Sequence, residues 1–271
     1  MTLLRLLAAR DAADFAEWFR AGAEYTHRVA EGMGFDRAGV DGDGRDPLAT
    51  PGPTVEALRA GRTDLPPGTA RTVAATFLGD AEFGRPFLAY TPRWYRLALA
   101  GPVALARRRL RRVAAPFAER AAAGADGPGD PDRSAGGRPT GPAYSLPGDL
   151  PVGAAAVRSV RDAGGVEAFE ASFLLADAVL HTEWFADVVR AAGVAVPPDL
   201  VERTVRESAA YYAGRRDALS PRVRRFQRYL FADDAWVRDV DASYRLNSTL
   251  FGVWERILRT ERRRLERAGR G

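Results

Sequence analysis

Apolar residues recur at intervals of three and four along most of the chain, and no run alternates with period two, so the sequence is read as all-helical. The pattern predicts a first long helix over 11–33. Residues 36–68 are rich in Gly, Pro and Asp and leave room for one short helix near 54–61. Further helices are expected over 69–83 and 92–123, the latter kinked or divided at Pro102 and Pro116, whose rings cannot donate a backbone hydrogen bond. Residues 124–150 carry a dense set of Gly and Pro and read as a mobile linker. Beyond them the 3.6-residue period returns over 152–162, 165–193, 198–218 and 221–267, with a break near 231–234. The expected organisation is an N-terminal helical region (1–123), the linker (124–150) and a C-terminal helical region (151–271). These pack as one antiparallel helical bundle with a long Gly/Pro-rich loop.

Composition narrows the chemistry. The chain has 271 residues, no cysteine and two histidines, and all 40 of its basic residues are arginine. Disulfides, thiolate metal sites, thiol nucleophiles, lysine Schiff bases and lysine-bearing phosphate loops are therefore excluded. The longest apolar run, 97–106, is ten residues with a Gly-Pro inside it. A spanning helix needs ~20, so no transmembrane segment is expected, and the chain reads as cytoplasmic. The net charge of +5 is modest for the length. Arginines nevertheless cluster at Arg107–Arg109 with Arg111 and Arg112, at Arg222, Arg224, Arg225 and Arg228, and at Arg262–Arg264. Such faces are either solvated or suited to an anionic partner: a nucleic acid, a membrane surface or another protein. Trp94, Tyr95 and several leucines share 93–112 with seven arginines, a mixture compatible with a membrane interface.

The two histidines stand in different surroundings. Glu17, Glu24, His27 and Glu31 share one side of the first helix, opposite Phe15, Trp18, Phe19, Tyr25 and Val29, so His27 is expected in water. In the helix over 165–193, Glu170, Asp177 and His181 fall within ~40° on the wheel. Leu174, Phe185 and Val188 occupy the same stripe. Acids and an imidazole threaded through an apolar face need partners from neighbouring helices, which a metal ion, a buried hydrogen-bond network or a ligand can supply. Glu202 borders the apolar stripe of the next helix. Asp234, Asp241, Ser248 and Glu255 recur at every seventh residue of the last one, beside Val237, Tyr244 and Phe251. Inward carboxylates on several helices are how carboxylate-bridged metal sites are built.

The text Asp177-Ala-Val-Leu-His181-Thr-Glu-Trp-Phe185, followed by Ala192-Gly193-Val194, resembles the metal-binding helix of the ribonucleotide-reductase small-subunit and ferritin-like superfamily. Trp236-Val-Arg-Asp-Val-Asp241-Ala-Ser-Tyr244 is similar to that superfamily's second motif helix. The resemblance implies a ferritin-like bundle and an iron- or manganese-dependent oxidase or oxygenase acting on a small apolar molecule. Its metal ligands would be Glu170, Asp177, His181, Glu202 and Asp241, with Tyr244 as the catalytic ligand, proton donor or radical site. The chain departs from the pattern at Ala178, where a glutamate belongs, and at Asp241 and Tyr244, which replace Glu and His. These departures leave open a bundle that has lost its metal, in which Arg245 is placed to neutralise the acids. The alternative is a non-enzymatic helical protein, possible as a homodimer, that uses its arginine faces on an anionic partner.

Overall fold

The computed structural model describes residues 8–35, 46–90, 93–124, 151–230, 256 and 259–270. Every regular element among them is helical. After a 3-10 turn at Ala13–Phe15 come α1 (Ala16–Met33), α2 (Gly52–Arg59), α3 (Pro67–Tyr90) and α4 (Arg93–Gly124). Then follow α5 (Pro151–Asp162), α6 (Gly165–Ala191), α7 (Leu200–Tyr212) and α8 (Pro221–Leu230), and 259–268 is again helical. Prolines open α3, α5 and α8, where a missing N–H costs nothing. Gly34 ends α1 with φ 68°, and Gly193 follows the end of α6 with φ 76°, left-handed conformations that are cheap for glycine and return N–H groups to the last turn. Most of the expected linker, and Asp241, Tyr244 and Arg245, lie outside the described residues.

Pro102 and Pro116 do not divide α4, which runs through both. The carbonyls they leave without a donor belong to Ala98 and Arg112, both exposed, so water can satisfy them. α7 stops at Tyr212, short of the predicted 218, because Gly214 adopts φ 103°.

α3 is the central element. The end of α4 returns to its start: Gly124 lies against Pro67, and Arg120 Nε donates to the Leu65 carbonyl at 2.9 Å. α6 also runs opposite to α3. Thr72 Oγ1 near the start of α3 donates to the carbonyl of Ala191 at the end of α6, at 3.1 Å. Two turns further along α3, Asp80 therefore comes level with Trp184 and His181. The 3-10 turn and α1 pack against this pair of helices: Phe15 meets Phe77 edge-on with centroids 5.8 Å apart, and Tyr25 lies 5.9 Å from Trp184. α8 joins through Phe226, 5.7 Å from Phe185. A smaller apolar cluster of Val157, Val160, Leu175, Val179 and Val205 ties α5 and α7 to the other side of α6. Fully buried side chains of this size contribute roughly 1.5–3 kcal/mol each.

Candidate functional site

The site is built on one face of α6. Asp177 and His181 are four residues apart, so the helix stacks them on the same side, and both are buried at 5% exposure. His181 Nδ1 lies 3.0 Å from the Asp177 carbonyl oxygen and 3.4 Å from its Oδ1. A carbonyl only accepts, so Nδ1 carries a proton and donates it there. The carboxylate contributes charge at close range. Burial works against a charged imidazole, but the Asp177 charge and its two contacts outweigh it and raise the His181 pKa.

Asp80 approaches from α3. Trp18 Nε1 on α1 donates to its Oδ2, while Oδ1 accepts no hydrogen bond. Removal from water pushes this carboxyl up to about 8; Trp18, the His181 charge and the nearby Trp184 indole pull the other way without overcoming it. Trp184 Nε1 is close enough to favour the charged carboxyl but makes no hydrogen bond of good geometry. The buried centre is thus Trp18–Asp80 on one side and Asp177–His181 on the other, drawn from α1, α3 and α6. About 120° round α6 lies a separate acid, Glu183, buried and with Oε2 unbonded. Burial, aided by the Asp187 charge, raises it to about 8.

Of the residues nominated from sequence that the structure describes, Asp177 and His181 come together and Glu170 and Glu202 do not. Glu170, one turn inside the start of α6, is 41% exposed and holds Arg262 at 3.2 Å. Glu202 on α7 is 64% exposed and holds Arg206 at 3.4 Å. Asp241 and Tyr244 are outside the described residues, among which no group of three or more His, Asp or Glu side chains is arranged to hold a metal ion. His27, expected in water, is half-buried, with Nε2 3.7 Å from Glu31. Asp80 was not nominated. Its signal is a lone acid on the stripe that carries Val73, Thr76 and Phe77, all buried.

A family model described as a domain of unknown function (DUF8116) matches residues 1–270. No curated protein and no solved structure matches the chain.

Proposed function

For a chain that belongs to DUF8116 over residues 1–270, we propose a ferritin-like helical bundle that has exchanged a dimetal centre for one charged by protons. His181 is its acid–base group, and its partner is a small, largely apolar molecule whose one ionisable group exchanges a proton with the imidazole. One observation carries this reading: two buried carboxyls, Asp80 and Asp177, meet a single imidazole in a core built without lysine. Buried acids must be neutralised by metal, by a cation or by protons. Here Asp80 keeps its proton at neutral pH, and Asp177 lies against an imidazole whose own proton is favoured.

The same residues suit a dimetal centre poorly. Such a centre in a four-helix bundle takes a His from each of two helices and carboxylates from all four. The second histidine of this chain, His27, lies beside Glu31 on the outer side of α1, and Glu170 and Glu202 are committed to arginines. Nδ1 is turned to Asp177, and a raised imidazole pKa suits general acid–base work near neutral pH.

Elemental analysis of untagged protein, expressed in medium supplemented with iron and manganese, tests the reading. Wild type and His181→Ala should both carry only trace metal. In an NMR titration the His181 imidazole should titrate above the ordinary histidine value, and Asp177→Asn should bring it down. One or two irons or manganeses per chain, lost in His181→Ala, would overturn the proposal and restore the dimetal reading.

A further inference from the structure

Several arginines elsewhere on the described surface are matched by acids one helical turn away: Arg20 with Glu17 and Glu24, Arg190 with Asp187, Arg203 with Asp199, Arg262 with Glu266. Such pairs confine their fields to the helix that bears them. α4 differs in its sequence. From Arg93 to Ala118 it contains seven arginines and no acid, the first being Glu119. Arg108 has Ala104, Leu105, Arg111 and Arg112 at the positions three and four residues away; Arg112 has Arg108, Arg109, Ala115 and Pro116. Intrahelical pairing is therefore impossible for either.

The same helix turns an apolar patch outward. Ala106, Leu110, Val113 and Phe117 are buried and fix which side of α4 faces the core. Leu97, Ala104, Leu105, Arg108, Arg111 and Arg112 lie on the opposite side within ~120° of arc, and all are exposed. Leu97 is 74% and Leu105 46% exposed. Along the axis the leucines come first and the arginines follow within a turn.

We infer that this face of α4 docks on an anionic lipid surface, with Leu97 and Leu105 entering the acyl boundary and Arg108 and Arg112 among the headgroup phosphates. The outward leucines decide for lipid over nucleic acid. A phosphate backbone uses the arginines but gains nothing from outward leucines, whereas a membrane surface uses both. No helix among the described residues is long and apolar enough to cross a membrane, so the contact is peripheral. Each arginine near a charged bilayer contributes about 1 kcal/mol, or roughly fivefold in partition, and the attraction decays within a Debye length of about 8 Å at physiological salt.

Co-sedimentation with vesicles tests this directly. Wild type should bind phosphatidylcholine vesicles containing phosphatidylserine at low salt. It should bind pure phosphatidylcholine at least about tenfold more weakly and release from the anionic vesicles near 0.5 M salt, where screening is within about 4 Å. Arg108→Gln with Arg112→Gln should weaken binding by about tenfold or more. Leu97→Ser with Leu105→Ser should do the same while preserving the salt dependence. The substituted side chains are exposed, so thermal melts should match wild type; should the arginine variant fail to fold, the leucine variant and the salt series decide alone. Binding that ignores lipid charge, or that the leucine variant leaves intact, overturns the inference. So does a duplex oligonucleotide that binds more tightly than the vesicles and is indifferent to the leucines.

Discussion

Asp80 holds a proton at neutral pH that an unfolded chain gives up. Its carboxyl moves from 3.8 to about 8 because burial removes the water that would stabilise the charge. In that interval the native state binds more protons than the unfolded one, so stability is greatest below the unfolded pKa and is lost as pH rises towards 8. Asp80→Asn keeps the shape and the oxygen that accepts from Trp18 but cannot ionise. Compared by urea unfolding, the variant should match wild type near pH 4 and exceed it increasingly at higher pH, by up to about 1.4 kcal/mol per unit until about pH 8. A difference that does not vary with pH would mean Asp80 is ionised or solvated in the fold. Asp177 and His181 were legible in the sequence because their spacing on one helix fixes their neighbourhood. Asp80 was not, because its partners, Trp18 and the α6 face, belong to other helices and no second acid or histidine shares its stripe. Glu170 shows the converse: the wheel puts it in line with Asp177, but not its depth along the helix, and its neighbour in space is Arg262.

The helices themselves were the most readable feature, since a 3.6-residue apolar period needs only the local sequence. Their ends and interruptions were less so. Both prolines of α4 sit where the orphaned carbonyl has access to water, a property of the packed molecule that the sequence does not display. The pairing of α3 with α4 also depends on a contact no pattern announces. A Cβ added at Gly124 would run into Cβ and Cγ of Pro67, and a pyrrolidine ring has little freedom to yield. Gly124→Ala should therefore prise the end of α4 from the start of α3 and cost about 1–3 kcal/mol. A thermal melt unchanged from wild type would show that the two termini do not touch.

Across the whole molecule, the main core ignores the boundary suggested by the Gly/Pro-rich stretch. Phe15, Trp18, Phe77 and Phe117 from before it share one cluster with Trp184, Phe185 and Phe226 from after it. A chain carrying a protease site inserted between residues 124 and 151 should, once cut, elute from gel filtration as a single species, held by that core. Separation into two folded fragments would instead mean two independent domains. The hydrogen bond from Trp18 to Asp80 spans 62 positions and that from Thr72 to Ala191 spans 119. Synthesis proceeds from the N-terminus, so α3 and α4 can pair while α6 has yet to be made. Until then Asp80 has water on the side that α6 will occupy, and it takes up its proton only when that helix arrives. Closure of the core is thereby timed to the arrival of α6 and draws one proton from the surrounding solution as it happens.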